Sequence, residues 1–127
     1  MYSQIPTCFF IAPENEASEI HHIVSDACAR TGVELLTPKT TNRNVVDSIQ
    51  RADFVIADLS DRNPNSIFQV GVAYGLHKRI LTLSQKIDEA LFDLVDVFIL
   101  QYRPTDIKTL NHYLNDWLRE MAANTPV

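Results

Sequence analysis

One stretch of the chain, Arg51–Gln85, constrains the fold more than any other, because it predicts a buried strand, a polar loop, a helix and a second buried strand. Phe54–Ala57 and Ile80–Leu83 are short apolar, β-branched runs of the kind that form strands covered on both faces. Between them, Asn63 and Pro64 form a helix start signal, because asparagine is a favoured N-cap and proline at the first helical position loses no needed hydrogen bond. The loop after such a strand is a favoured place for a nucleotide or phosphate.

The rest of the chain continues this alternation of strands and helices. Apolar runs predict strands at Thr7–Ala12, Val33–Leu36 and Val97–Leu100. Apolar residues spaced three and four apart predict a helix after each of the first two strands and a last helix before the tail. We therefore predict an α/β fold of three layers, a flavodoxin-like arrangement with a five-stranded, mostly parallel sheet in the order 2-1-3-4-5.

Several details of this prediction concern single segments. The second helix is expected to point four apolar residues inward: Val45, Val46, Ile49 and Ala52. Ile87–Leu94 is predicted to be a short helix or irregular, and Ala122–Val127 is predicted to be a tail. Gly71 and Gly75 are expected to let their helix pack closely on the sheet, and His77 is expected to end that helix in the left-handed conformation.

Length and charge narrow the classes of function. With 127 residues the chain fits one domain, residues 1–127. A net charge of −5 argues against a nucleic-acid partner, because a nucleic-acid surface normally needs a basic stripe. No stretch reaches the roughly 20 apolar residues of a membrane span, and the N-terminus lacks the pattern of a signal peptide. We therefore expect a cytoplasmic protein without a membrane partner.

The cysteines and histidines show no pattern of a metal or redox site. Cys8 and Cys28 form no CxxC motif, and we predict that both are reduced thiols in the core. His21, His22 and His112 show no ligand spacing with a partner. We predict neither a metal nor a cofactor.

The central motif resembles a known family. The string ADFVIADLSDRNPNSIFQVGVAYGL, residues 52–76, is similar to the signature of the nucleoside 2-deoxyribosyltransferase-like and TIR-like (Toll/interleukin-1 receptor-like) nucleotide-binding domains. The similarity begins at Phe10–Pro13 and continues into Ala90–Leu94. It implies a TIR-like form of the predicted fold, a small-molecule nucleotide or nucleoside as ligand, and a homo-oligomer. In that family a glutamate of this helix carries the chemistry of the glycosidic bond, and Gln69 stands at its position here.

Gln69 changes what such a pocket can do. An N-glycosidic bond breaks through an oxocarbenium-like transition state, so an enzyme needs an anion near the anomeric carbon. A carboxamide keeps the shape and the hydrogen bonds but does not ionise, and the missing charge costs on the order of 100-fold to 1000-fold in rate. We therefore predict a nucleotide- or nucleoside-binding domain with little turnover. The plain alternative is that Gln69 is a surface residue of the helix without a role.

The loop that follows the third strand supplies further candidates. Asp58 is a candidate to orient ribose hydroxyls or a base, or else it caps its own turn. Asn63 falls where some deoxyribosyltransferases keep an aspartate that handles the leaving base, and it also suits a plain N-cap. Ser60 and Arg62 are candidates for contacts with phosphate or ribose, and Arg62 is equally suited to be a solvated charge.

The predicted strand order brings the end of strand 1 to the same crevice. Ala12, Pro13 and Glu14 are therefore candidates for ligand binding, and Glu14 and Glu16 are also candidates for a hydroxyl contact or a substitute carboxylate. The alternative for Glu14 is an acid in the first turn of a helix, favoured by the helix dipole. Phe68 is a candidate to stack on a base, although the favoured interpretation is an aromatic residue of the core.

Three alternatives to a binding domain stay open. An active NAD glycohydrolase or nucleoside deoxyribosyltransferase fits if Gln69 is an engineered replacement of glutamate or if another carboxylate compensates. A receiver-like signalling domain would use Asp58 as phosphoacceptor, with Glu14, Ser84 and Arg103 near it, but leaves the helix start signal unexplained. The third is a scaffold that self-associates through a TIR-like surface.

Overall fold

The computed structural model describes residues 5–12, 18–37, 44–86 and 99–125. Its strands are β1 (Thr7–Ile11), β2 (Glu34–Leu36), β3 (Phe54–Asp58), β4 (Arg79–Ser84) and β5 (Ile99–Gln101). Its helices are α1 (Glu19–Thr31), α2 (Val45–Arg51), α3 (Pro64–Gly75) and α4 (Ile107–Ala123).

All five strands run parallel in one sheet, in the order β2-β1-β3-β4-β5, which confirms the predicted fold class and strand order. In the centre of the sheet, Phe10 pairs with Ile56, and Ile56 pairs with Leu81. Because the strands are parallel, their carboxyl ends meet at one edge of the sheet. The order reverses at β1 and β3, so the loops after these two strands flank the point where ligands bind in open sheets of this type.

Alternate residues of the central strands enter two separate cores. Phe54 and Ile56 of β3 join the core formed with α1 and α4, whereas Val55 and Ala57 join the core formed with α2 and α3. All of them are buried, which is expected of a strand covered by helices on both faces. The period of two along β3 therefore decides which pair of helices each side chain contacts.

The helix ends follow the expected capping chemistry. Asn63 is the N-cap of α3, and its Oδ1 accepts from Asn65 N at 2.9 Å and Ser66 N at 3.3 Å. Pro64 is the first helical residue, as predicted. His77, just beyond the helix, has a φ of 60°, which confirms the left-handed conformation expected there.

Three details of the prediction are wrong. Val46 is not buried but 45% exposed, because it lies at the start of α2 on the side that faces α3 rather than the sheet. The tail begins later than predicted, since Ala122 is helical and packs on the core. Gly71 and Gly75 are exposed, and a Cβ built on either would meet no other atom within 4 Å, so neither allows a close approach to the sheet.

The prediction for the two cysteines is confirmed, whereas one predicted segment and part of another lie outside the described residues. Cys8 and Cys28 are both free and buried in the core on the α1 side, as predicted. Residues 87–94 lie outside the described residues. The same holds for residues 97–98, the first two of the predicted fifth strand, while Ile99 and Leu100 are in β5 as expected.

Candidate functional site

Asp58, the last residue of β3, holds the loop that follows it. The side chain is only 7% exposed, and its Oδ1 accepts hydrogen bonds from Ser60 Oγ at 2.6 Å and from Ser60 N at 3.2 Å. Leu59 N donates to Leu83 O of the neighbouring strand at 2.8 Å. These bonds turn the chain sharply after β3. The geometry matches the turn-capping alternative considered for Asp58.

Two residues from neighbouring strands complete a hydrogen-bonded group around this turn. Tyr102 Oη, just after β5, lies 3.2 Å from Ser60 Oγ and donates at 3.5 Å to Asp58 Oδ1. Gln85, just after β4, donates from its backbone N to Ser60 Oγ at 3.1 Å and from Nε2 to Tyr102 Oη at 3.4 Å. We call Asp58, Ser60, Gln85 and Tyr102 the Asp58 cluster. It ties together the carboxyl ends of β3, β4 and β5.

Burial dominates the electrostatics of this cluster. Removal from water raises the pKa of the Asp58 carboxyl above its ordinary value, and the hydrogen bonds from Ser60 oppose this effect only in part. Burial likewise raises the pKa of the Tyr102 hydroxyl. Both shifts follow from the low local dielectric, which penalises the charged form of each group.

A cleft of about 450 Å³ lies on the other face of the sheet, between the start of α2 and the first turns of α3. Its volume is within the roughly 300–1,000 Å³ typical of small-molecule sites. We call it the α2–α3 cleft and define it by the residues that line it: Ala12, Val45, Val46, Asn63, Asn65, Ser66, Phe68, Gln69 and Val72. About half of this lining is apolar, and the rest consists of three carboxamides and one hydroxyl.

Gln69 lies in the second turn of α3 and lines this cleft, half-buried. Phe68, its neighbour, is 67% exposed, so the favoured interpretation of a core aromatic is wrong. The reason is helical geometry: the core-facing positions of α3 are Ser66, Val70 and Ala73, which leaves Phe68 pointing outward. Its ring is therefore open to a ligand of the cleft.

The N-terminus of α3 borders the cleft, but its amides already have acceptors. Asn65 N and Ser66 N donate to the N-cap oxygen, Asn63 Oδ1, and Ile67 N donates to Asn63 O at 3.0 Å. Asn63 N donates in turn to Asp61 Oδ1 at 3.2 Å, and Arg62 N to Leu59 O at 3.0 Å. The loop after β3 was predicted to be a favoured place for a nucleotide or phosphate, and these amides at the start of α3 are not free to bind one.

The structure divides the candidates predicted from sequence between the two regions. Ala12, Asn63, Phe68 and Gln69 come together in the α2–α3 cleft. By contrast, Asp58 and Ser60 belong to the Asp58 cluster on the α1 and α4 side.

The structure settles the position of one further candidate, Arg62, and two others cannot be placed in either region. Arg62 is exposed, has a φ of 55° and lies outside the lining of the cleft. Pro13 and Glu14 fall on residues outside those described.

Sequence reasoning missed several members of both regions. Tyr102 and Gln85 of the Asp58 cluster each follow the last residue of a strand, which is the signal that points to them. Val45, Asn65 and Ser66 of the cleft sit in the first turns of the two helices that border it. In a sheet of this type, polar residues at strand ends and at helix starts converge on one edge.

The geometry weighs against the receiver-like alternative. A phosphoacceptor must be accessible, whereas Asp58 is buried and accepts hydrogen bonds from Ser60 and Tyr102. Among the residues that the structure describes, no three His, Cys, Asp or Glu side chains are grouped so that they could hold a metal ion. In the same residues, no helix combines the length and the apolar character that crossing a membrane requires.

Solved structures with the same fold include enzymes that act on nucleosides and nucleotides. A CMP N-glycosidase from Clostridium botulinum superposes with a TM-score of 0.61 at 20% identity, covering 86% of this chain and 98% of that one. A 2-deoxyribosyltransferase from Bacillus psychrosaccharolyticus gives 0.63 at 14% identity, covering 88% and 95%. A de novo designed Rossmann 2x3 protein gives 0.57 at 17% identity, covering 98% and 96%.

A de novo designed protein is among the structures with this fold, so the architecture alone does not establish a function. No family model and no curated protein matches the sequence. The chain therefore shares the fold of the N-glycosidase and the deoxyribosyltransferase along nearly their whole length, and its activity must be argued from its own cleft.

Proposed function

We propose that this protein is a nucleoside- or nucleotide-binding domain that uses the α2–α3 cleft and has little glycosidase or transferase activity. The shared fold supports a ligand of this class, because both enzymes named above act on such molecules. The cleft supports it further, since it combines an exposed aromatic ring at Phe68 with carboxamides that suit the polar edges of a base or sugar.

One observation carries the low activity: Gln69 lies in the cleft, and none of the described residues that line the cleft is an aspartate or glutamate. Breaking an N-glycosidic bond needs an anion that stabilises or attacks the developing oxocarbenium ion. Gln69 offers a hydrogen bond but no charge. The cleft as described can therefore hold a nucleoside without supplying the group that the reaction needs.

An active enzyme remains the competing proposal, and it takes two forms. In the first form another carboxylate compensates, and its candidates, Glu14 and Glu16, lie outside the described residues. Asp58 does not fit this role, because it faces the opposite core and accepts from Ser60 and Tyr102. In the second form, glutamine has replaced an original glutamate at position 69, and Gln69→Glu should then restore turnover.

The test combines a thermal-shift assay with a search for released base, on the parent chain and on Gln69→Glu. The ligands are NAD, nucleosides, deoxynucleosides and nucleotides. At about 100 times its dissociation constant, a ligand adds roughly 2.7 kcal/mol to the free energy of unfolding. We expect stabilisation of both forms and no appreciable base release by the parent.

Gln50→Glu is the matched control, because Gln50 is exposed on α2 and lies outside the cleft. Base release by Gln69→Glu alone, on the order of 100-fold or more above the parent, would identify a glycosidase pocket switched off at this residue. Appreciable base release by the parent, at the same rate as by Gln69→Glu, would refute low activity. No stabilisation by any ligand would refute the binding role.

The expected homo-oligomer stays a prediction that the surface of α3 supports. None of its twelve residues is charged, and its outer side and end expose Phe68, Tyr74 and Leu76. An uncharged helix surface that exposes aromatic and aliphatic side chains suits contact with another protein surface. Sedimentation or light scattering across a concentration series measures the association directly.

A further inference from the structure

Resting on the proposed function, we infer that the α2–α3 cleft binds an uncharged nucleoside in preference to the corresponding nucleotide. The first reason is the lining itself. Its described members are alanine, valine, phenylalanine, serine, asparagine and glutamine, so none carries a charge between pH 5 and 9. Among the described lining residues, a phosphate dianion finds no cation to replace the hydration that it loses.

The second reason is that the main-chain amides at the start of α3 already donate hydrogen bonds. Phosphate sites in this fold class use free amides at a helix N-terminus. In α3 the first residue is Pro64, which has no N–H, and Asn63 Oδ1 accepts from the next two amides. A phosphate would have to displace this N-cap, and its loss would destabilise the start of α3.

The third reason is the charge next to the cleft. Asp61 is exposed and accepts from Asn63 N, the amide immediately before the helix. It places a negative charge where a phosphate would approach the helix start, and the chain as a whole carries −5. Both charges oppose a dianion, the exposed Arg62 beside Asp61 offsets part of that opposition, and a neutral nucleoside is unaffected by these charges.

The groups that remain suit the neutral parts of a nucleoside. The N-cap uses only Oδ1 of Asn63, so Nδ2 takes no part in it. Asn65 and Gln69 each offer both a donor and an acceptor, the combination that base edges and sugar hydroxyls present. The exposed ring of Phe68 provides a stacking surface, which is tolerant of base identity.

The experiment is titration calorimetry with matched pairs: adenosine and adenosine 5′-monophosphate, cytidine and cytidine 5′-monophosphate, and their deoxy forms. We expect at least one nucleoside to bind about tenfold or more tightly than its monophosphate. We also expect nucleoside affinity to stay constant between about 50 and 500 mM salt, because no charge pair contributes.

Monophosphates that bind as tightly as their nucleosides, or more tightly, would overturn this inference and leave the proposed function standing. If neither member of any pair binds, both fail. The two failures are therefore distinguishable within one set of titrations.

A charge-introducing variant tests whether the cleft itself sets the preference. Val46→Lys adds one cation to the cleft at a residue that is already 45% exposed, and we expect it to shift the affinity ratio about fivefold to tenfold toward the monophosphate. Gln50→Lys adds the same charge one turn further along α2, outside the cleft, and should leave the ratio unchanged. An equal ratio in the parent and in both variants would overturn the assignment to this cleft.

Discussion

The α2–α3 cleft and the Asp58 cluster lie at the same edge of the sheet but differ in what their side chains are free to do. In the Asp58 cluster, the carboxylate of Asp58 is buried and accepts from Ser60 and Tyr102. In the cleft, the described side chains are uncharged, and Phe68 is largely exposed. The Asp58 cluster contains ionisable side chains that are buried, whereas the described side chains of the cleft are uncharged and include the accessible ring of Phe68.

A single step along β3 produces this difference. Ala57 belongs to the core on the α2 and α3 side, and Asp58, one residue later, turns to the α1 and α4 side where Tyr102 packs. Because side chains alternate across a strand, neighbouring positions in one motif reach opposite faces. The arrangement indicates that the Asp58 end of the motif shapes the loop, whereas the Gln69 end lines the α2–α3 cleft.

The largest expected effect comes from removing the centre of the cluster. Asp58→Ala leaves the hydroxyls of Ser60 and Tyr102 without their buried acceptor, and we expect it to lower the free energy of unfolding by about 2–3 kcal/mol. Urea unfolding measures this change. Asp26→Ala, at an exposed position of α1, is the control and should stay within about 0.5 kcal/mol. A loss of ligand affinity with unchanged stability would instead support the role of Asp58 in ligand binding.

The cleft predicts the opposite pattern for Phe68→Ala. We expect nucleoside affinity to fall about tenfold, since stacking of a base on an aromatic ring contributes roughly 1–3 kcal/mol. Stability should change by less than about 0.5 kcal/mol, because the ring is mostly exposed. Calorimetry and urea unfolding of the same samples separate the two effects. Tyr74→Ala, on the same helix but outside the cleft, should alter neither, and equal losses from both variants would contradict the role of Phe68.

A smaller effect is expected on the outer surface of α3, away from both regions. Gly71→Ala should raise the free energy of unfolding by about 0.8–1 kcal/mol, because alanine favours the helix and its Cβ meets open space. Gly32→Ala is the contrasting control, since Gly32 has a φ of 73° and should lose stability. Destabilisation by Gly71→Ala, read from thermal unfolding at several concentrations, would show that this surface is covered by another chain.

The fold was predictable because its signals are local. Strand runs such as Phe54–Ala57 and the helix start at Asn63 and Pro64 depend on neighbouring residues, and the alternation of strands and helices leaves few topologies. The N-cap of α3 and the left-handed His77 were recoverable for the same reason.

The division of the motif between two faces was not predictable in the same way. Tyr102 contacts Asp58 across 44 residues of sequence, and no local pattern encodes that distance. Val46 was predicted to point inward, and a core position was the favoured interpretation of Phe68, because both residues are apolar. Apolar residues on a helix fit a cleft as well as a core. Burial depends on the neighbouring helix, which a period alone does not place.

The last prediction separates the two regions by pH. Burial holds the pKa of Asp58 above its ordinary value near 3.8, so the folded chain keeps this proton at pH values where the unfolded chain has lost it. Between the ordinary and the raised pKa the folded state binds more protons, and stability therefore falls as the pH rises through that window. We expect the parent to lose stability relative to Asp58→Asn across this window, as measured by urea unfolding at pH 4 to 7. Nucleoside affinity should stay constant from about pH 6 to pH 9, because the described lining of the cleft has no group that titrates there. A parent that gains stability relative to Asp58→Asn as the pH rises would mean that the bonds from Ser60 and Tyr102 outweigh burial, so that Asp58 is held as a carboxylate ready to receive a ligand.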